Sequence, residues 1–146
     1  MTILQTIIDM KLLLRLRTGS HLYGLNHKDS DEDWLEIWDK CKPSQSFINN
    51  QDITRWNLSM FMRVADKGGH NALEVLMARH SWCDVDLLKD FRESYIASGW
   101  VCMPKFQSAM KTLESRGDQK GIERSAMLSS WLDQIFETGR FNPHND

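Results

Sequence analysis

Cysteine is scarce in this sequence, and long apolar runs are missing from it. The three cysteines, Cys41, Cys83 and Cys102, are too few and too scattered to form a disulfide framework. No segment approaches the roughly 20 apolar residues that a membrane helix needs. Polar and charged residues interrupt the stretch 3–16, which therefore lacks the apolar centre of a secretion signal. We expect a protein of the reducing cytoplasm with no membrane partner.

An excess of one charge sign is also missing. Eighteen Lys and Arg residues face twenty Asp and Glu residues, and the resulting net charge of -2 excludes the bulk basicity of non-specific nucleic-acid binders. The sequence has no internal repeat, low-complexity tract or Pro/Gly/Ser-rich linker. We therefore expect a single domain over residues 1–146, with a sheet-forming catalytic part at 1–55 and a helical part at 56–146.

Short apolar runs separated by turn-forming residues characterise the N-terminal part. Residues 2–9 fit a first helix, and residues 11–18 alternate as a strand does, with a helix as the competing interpretation. Residues 31–38 also follow period two, which puts Asp33 on the face opposite to Trp34. Residues 46–54 are predicted to form a third short strand.

The apolar spacing becomes helical after Trp56. One face has apolar residues at the i, i+3, i+4 and i+7 positions, namely Leu58, Phe61, Met62 and Ala65. Gly68 and Gly69 are predicted to end this helix. Further helices are predicted at 71–79, from an N-cap at Asp84 to before Gly99, from Pro104 onward, and up to Gly139. The predicted fold class is α+β, a small mixed sheet followed by a helical C-terminal half.

The segment with the most chemical information reads Gly-Ser-His-Leu-Tyr-Gly at 19–24 and Asp-Ser-Asp-Glu-Asp at 29–33. A calcium loop of the EF-hand type would explain the alternating aspartates. Its sixth position requires a glycine and its twelfth a bidentate glutamate, but this sequence has Trp34 and Lys40 there. The EF-hand interpretation is therefore rejected.

Asp31 and Asp33 have the spacing of paired metal ligands on one strand. Period two puts both carboxylates on the same face, about 7 Å apart along the backbone. At a separation of about 4 Å they would repel by roughly 4 kcal/mol at an effective dielectric constant near 20, which a bound cation would relieve. Magnesium takes one or two protein carboxylates and fills its other positions with water and phosphate oxygens. A solvated acidic turn is the alternative interpretation.

Gly19 and Ser20 are suited to a phosphate-binding turn. Glycine lets the backbone come close to a polyphosphate, and the amides that follow, together with the Ser20 hydroxyl, can donate hydrogen bonds to its oxygens. A Gly-Ser pair alone is a weak signal, but it gains weight beside Asp-x-Asp. Ser20 as an ordinary turn residue, and Tyr23 as a residue packed on the sheet, are the alternatives.

Together these motifs resemble those of small nucleotidyltransferases of the DNA polymerase beta-like superfamily. The signature of that group is Gly-Ser-[Arg/His]-x-Tyr-Gly followed by Ser-Asp-x-Asp, as found at 19–24 and 30–33. Its third acidic residue, on the next strand, corresponds to Asp52. The segments 71–76 and 138–143 also resemble the family, so that the likeness spans most of the chain.

The resemblance implies transfer of a nucleoside monophosphate from a nucleoside triphosphate to an acceptor, with release of pyrophosphate. Asp31, Asp33 and Asp52 would be the catalytic and metal-binding residues, with two Mg²⁺ ions, or Mn²⁺ in their place, as cofactors. The resemblance assigns nucleotide binding to Gly19, Ser20, His21 and Tyr23. Arg15 and Arg17 are further candidates for phosphate or base contacts. The acceptor, whether a small molecule, RNA or protein, is unknown, as is the oligomeric state.

Other interpretations of these residues stay open at this point. Asp52 could instead be the N-cap of the helix that begins near Trp56. His80 and Cys83 have a spacing that zinc ligands use, but no second pair follows. The tryptophans are expected to pack in the core, with base stacking as an alternative for Trp34, Trp38 or Trp56. For the whole chain, the alternative is a catalytically silent nucleotide- or protein-binding module, such as an antitoxin-like or host-modulating phage protein.

Overall fold

A computed structural model describes residues 11–19, 32–78 and 86–144 of the chain. In these ranges the strands are β1 (Leu12–Thr18), β2 (Glu32–Trp38), β3 (Ser44–Ile48) and β4 (Gln51–Asn57). The helices are α1 (Leu58–Asp66), α2 (His70–Met77), α3 (Asp86–Ser94), α4 (Gly99–Ser115) and α5 (Gln119–Thr138). The predicted α+β class with a mixed sheet followed by helices is confirmed. The helix predicted at 2–9 and the N-cap predicted at Asp84 lie outside the described residues.

The four strands form one mixed sheet in the order β1-β2-β4-β3. β1 pairs antiparallel with β2, β2 pairs parallel with β4, and β4 pairs antiparallel with β3. The strand interpretation of residues 11–18 is therefore confirmed and the competing helix is wrong. The described part of the strand predicted at 31–38 begins at Glu32, because Asp31 lies outside the described residues.

A tight turn divides the segment that was expected to form one strand at 46–54. Asn49 and Asn50 have positive φ angles of 53° and 63°, the backbone conformation of a two-residue type I′ turn. Ile48 consequently pairs with Gln51, and β3 and β4 form a hairpin. The single-strand prediction is wrong because asparagine tolerates the left-handed conformation that this turn requires.

The two faces of the sheet differ in chemistry, as the period of two predicts. Buried leucine and isoleucine side chains lie on one face, Leu14, Leu16, Leu35 and Ile37. On the other face, Glu36 is 7% exposed and lies between Arg15 and Arg55. The Arg55 Nε atom donates to Glu36 Oε1 at 3.0 Å. The charge of Glu36 is buried together with cationic partners, which is the usual condition for burying a carboxylate.

The helices follow the apolar periodicity except at Pro104. α1 ends at Asp66, just before Gly68, and α5 ends at Thr138, just before Gly139, as predicted. α4, however, begins at Gly99 and contains Pro104 in its interior. The prediction that Pro104 starts this helix is wrong because Cys102 and Phe106 are both fully buried, on one face and one turn apart, on either side of the proline.

The chain divides into two compact units, with the boundary inside α1 between Met62 and Arg63. Of the described elements, the first unit contains the sheet and most of α3, and the second contains α2, α4 and α5. In the second unit, Trp131 stacks on Phe141 with ring centroids 4.7 Å apart. The expectation of a single domain stays a prediction. None of the helices in the described residues is long and apolar enough to span a membrane.

Candidate metal and nucleotide site

Two of the three predicted metal ligands are neighbours in the sheet. Asp33 on β2 is the direct register partner of Asp52 on β4, and these two strands are parallel. Adjacent strands lie about 4.8 Å apart, and register partners point to the same face, so two short carboxylate side chains lie side by side. Both residues are half-buried. The sheet topology therefore brings together two residues that are 19 positions apart in the sequence.

Gly19 lies directly against Asp33, one member of this pair. It follows β1, has a positive φ of 67°, and has no side chain where Asp33 lies. A Cβ atom at position 19 would overlap the Asp33 carboxylate, in a conformation that residues other than glycine rarely adopt. The predicted phosphate-binding turn thus begins next to the carboxylates, as the sequence motif requires.

Two residues that the sequence did not single out hold the aspartates. The Gln45 side-chain amide on β3 donates to both carboxylate oxygens of Asp52, at 3.0 and 3.1 Å. The Thr18 hydroxyl on β1 donates to the backbone carbonyl of Asp33 at 3.3 Å. The sequence signal that points to Gln45 is the Asn49-Asn50 pair. This pair favours a tight turn, and the turn fixes the hairpin register that brings β3 beside Asp52.

The other predicted site residues fall outside the described part of the chain: Asp31, Ser20, His21 and Tyr23. His80 and Cys83, the zinc alternative, also fall outside it. Within residues 11–19, 32–78 and 86–144, no three His, Cys, Asp or Glu side chains are grouped as metal ligands. The described portion of the candidate site is thus a pair of carboxylates, and the third ligand stays a prediction.

Arg15 and Arg17 are not part of this site. They pair in register with Glu36 and Trp34, and their side chains lie on the sheet face opposite to Asp33. Their guanidinium carbons lie 4.1 and 5.1 Å from the centroid of the Trp34 ring, which is cation–π geometry. Strand alternation thus turns both arginines away from the aspartates, and their contact with phosphate or base stays a prediction.

The tryptophans divide between the two faces by the same alternation. Trp34 and Trp38 lie on the face away from Asp33, and their indole N–H groups donate to Glu32 and Glu36. Trp56 is an even number of residues from Asp52 and shares its face. Base stacking beside the aspartates is therefore excluded for Trp34 and Trp38, and Trp56 is the tryptophan that stays a candidate.

The alternative role of Asp52 as a helix cap is excluded. Asp52 lies inside β4, five residues before the end of that strand. Asn57 caps α1 instead, because its side-chain oxygen accepts from the backbone N–H of Met60 at 2.8 Å. The Asp52 carboxylate is thus available on the sheet face beside Asp33, with Gln45 as its hydrogen-bond donor.

The donor set fits a hard divalent cation. Carboxylate oxygens are the ligands that Mg²⁺ and Mn²⁺ prefer, and two adjacent carboxylates repel each other unless a cation lies between them. Gly19, which has no side chain, lets the Asp33 carboxylate lie against the backbone. Comparison with known proteins found no matching family model, no matching curated protein and no matching solved structure.

Proposed function

We propose that this protein is a metal-dependent nucleotidyltransferase that moves a nucleoside monophosphate from a nucleoside triphosphate to an acceptor nucleophile. The observation that supports the proposal best is the register pairing of Asp33 with Asp52 on parallel strands, beside Gly19. The proposal includes the polymerase beta-like type of sheet and a cytoplasmic location. The scarcity of cysteine supports that location.

Asp33 and Asp52 would hold the divalent cations, with Asp31 as the third ligand by its spacing from Asp33. When bound, the cations would neutralise phosphate charge and lower the pKa of the acceptor hydroxyl. Asp52 is the candidate to accept the acceptor proton, since it shares the face of Asp33. Gln45 would fix the orientation of the Asp52 carboxylate through its two hydrogen bonds.

The triphosphate would bind at the turn that begins with Gly19. Because Gly19 has no side chain, its backbone lies directly against the Asp33 carboxylate. Phosphate oxygens held by backbone amides of this turn would therefore lie close to a metal bound at Asp33. Ser20, His21 and Tyr23, which follow in the sequence, would complete the nucleotide contacts. These assignments rest on the motif and on the position of Gly19.

The test is pyrophosphate release from each of the four ribonucleoside triphosphates, with Mg²⁺ or Mn²⁺ and with EDTA as the blank. We expect release in the presence of metal, and a loss of at least about a hundredfold in Asp33→Ala and in Asp52→Ala. Asp90→Ala is the matched control, because Asp90 is an exposed carboxylate on α3. Gln45→Ala should reduce release less than the aspartate variants do.

The outcome also separates the enzyme from the silent binding module. The silent binding module would be favoured if the protein binds nucleotide but releases no pyrophosphate with any of the metals. That result has to hold with the protein itself, RNA and small molecules as acceptors. Release that persists in Asp33→Ala and Asp52→Ala would contradict the proposed site. Labelling of a macromolecular acceptor with an α-phosphate label would identify the class of acceptor.

A further inference from the structure

A cavity lies wholly within the second compact unit, and none of its described lining residues belongs to the proposed nucleotidyltransferase site. Its volume is about 620 Å³, within the range of small-molecule sites. The turn after α1 and the start of α2 form one wall, and the middle of α4 forms the other. The size is sufficient for a ligand as large as a nucleotide.

The charged side chains among the described lining residues are all positive. Lys67 contributes from the turn before α2 and Lys105 from α4, whereas no Asp or Glu belongs to the described lining residues. The two lysines thus line the same cavity from different segments of the chain. Such convergence favours an anionic group as ligand, since each lysine supplies a positive charge and up to three N–H donors.

Ser108 on α4 adds a hydroxyl to the two lysines. Thr112, one turn further along α4, also lines the cavity, but its hydroxyl already donates to the Ser108 carbonyl at 3.1 Å, so it can only accept from a ligand. The N-cap of α2 is Gly69, which has no side chain to accept hydrogen bonds from the N–H groups of the first turn. His70 and Asn71, which begin α2, also line the cavity, and the N-terminal end of a helix favours an anion.

His70 has a polar atom that the described protein leaves unused. Its Nδ1 atom is buried without a hydrogen-bond partner among the described residues, and its ring packs edge-to-face on Phe106 with centroids 6.2 Å apart. Burial lowers the pKa of His70 below its usual value of 6.5, which keeps the ring neutral at pH 7. The neutral imidazole thus adds an uncharged aromatic surface to the cavity lining.

The remaining walls are apolar. Val64, Ala109 and Leu113 line the cavity beside the charged groups. A small inorganic anion would leave these walls without contacts, whereas a molecule that combines a phosphate with an apolar or aromatic body would use both parts. We propose that this cavity binds a phosphomonoester of nucleotide size, with its phosphate between Lys67 and Lys105 and its body against Val64, Ala109 and Leu113.

This proposal is independent of the nucleotidyltransferase proposal, and its test removes the metal on which the latter depends. Adenosine 5′-monophosphate is titrated in EDTA into the isotopically labelled full-length chain, and amide chemical shifts are followed by NMR. We expect the amide signals of residues 64–71 and 105–113 to shift. Adenosine, which lacks the phosphate, should bind at least about tenfold more weakly than its monophosphate.

Charge reversal at the cavity provides the matched comparison. Lys105→Glu should weaken binding of adenosine 5′-monophosphate by about tenfold or more. Lys111→Glu makes the same charge change on an exposed position of α4 that does not line the cavity, and it should change binding less than about twofold. Lys67→Ala should weaken binding without adding a repulsive charge.

Three results would overturn the proposal. They are the absence of shifts at 64–71 and 105–113, equal binding of adenosine and its monophosphate, and an equal loss in Lys105→Glu and Lys111→Glu. Because all measurements are made in EDTA, a failure here leaves pyrophosphate release unaffected. Conversely, binding at this cavity would persist if no pyrophosphate release were found.

Discussion

At Gly19 the absence of a side chain matters for two separate reasons. A Cβ atom there would overlap the Asp33 carboxylate, and the φ of 67° is itself unfavourable for alanine. We expect Gly19→Ala to lower the free energy of unfolding by at least about 2 kcal/mol, from the left-handed conformation and the displaced carboxylate together. Urea unfolding measures the change.

Gly117 provides the control for the backbone contribution. Its φ of 70° is nearly the same, but a Cβ atom at that position would meet nothing within 4 Å. Gly117→Ala should therefore show the backbone cost of about 1 kcal/mol alone. The difference between the two variants measures the contact with Asp33, and equal losses would show that Gly19 is not held against that carboxylate.

The protonation of His70 links stability to pH. Burial lowers the pKa of this imidazole in the folded state, whereas the unfolded chain takes up the proton near the ordinary pKa of 6.5. Below pH 6.5 the unfolded state therefore binds more protons, and stability falls as the pH is lowered toward the folded-state pKa. We expect urea unfolding at pH 7.5 and 5.5 to give a smaller loss on acidification in His70→Gln than in the natural sequence. An equal loss in both proteins would show that His70 is not buried in its neutral form.

At the scale of the element, Asn57 joins the end of the sheet to the first helix. Its side-chain oxygen caps α1 at the Met60 N–H, and its side-chain amide donates to the carbonyl of Cys41 at 3.1 Å. We expect Asn57→Ala to cost about 1 to 3 kcal/mol in the free energy of unfolding, from the cap and the lost hydrogen bond. Thermal or urea denaturation checks this value.

Asn57→Asp separates the two roles. The aspartate keeps an acceptor for the Met60 N–H, and its negative charge is favourable at a helix N-terminus, but it cannot donate to the Cys41 carbonyl. Its loss of stability should therefore be smaller than that of Asn57→Ala. If the aspartate variant is destabilised as much as the alanine variant, the contact with Cys41 and not the cap is the larger contribution.

Elements with a strong local pattern could be predicted from the sequence. β1, β2, α1 and α5 have apolar residues at the period of their structure, and glycines end α1 and α5. The prediction failed where the structure depends on packing between residues far apart in sequence or on the chemistry of a turn. The interior position of Pro104 depends on the burial of Cys102 and Phe106, and the β3–β4 hairpin depends on the positive φ angles of Asn49 and Asn50.

The candidate site shows the same division between local and non-local information. The alternation of side chains along each strand follows from its own sequence, but the shared face of Asp33 and Asp52 and their direct pairing depend on the parallel register of β2 and β4. Gln45 could not be assigned without the hairpin register, and the face of Arg15 and Arg17 relative to Asp33 depends on the pairing of β1 with β2. Register is a property of strand pairs, and a single strand sequence does not contain it.

At the scale of the whole molecule, the division into units has no counterpart in composition. The boundary inside α1 interrupts a continuous helix, and each unit contains residues from separate parts of the chain. Packing between residues far apart in sequence defines such units, and local composition carries no information on it. The two units also differ in the charge of their candidate sites, since the carboxylates of the first and the lysines of the second attract ligands of opposite charge.

We expect the like charges at Asp33 and Asp52 to make overall stability depend on divalent cations. Two carboxylates about 5 Å apart repel by roughly 1 to 3 kcal/mol, depending on solvent access. In EDTA, Asp52→Asn should therefore melt at a higher temperature than the natural sequence, even though it loses one charged acceptor for Gln45. Differential scanning calorimetry measures this difference.

Magnesium should reverse the order of the two melting temperatures. For a dissociation constant near 1 mM, 10 mM Mg²⁺ stabilises the folded state by about 1.4 kcal/mol, so the natural sequence should gain several degrees and Asp52→Asn almost none. Asp90→Asn, which changes the net charge equally at an exposed position of α3, should keep the full gain. A gain of the same size in all three proteins would mean that magnesium acts through general charge screening, and the paired aspartates would then not be its ligands.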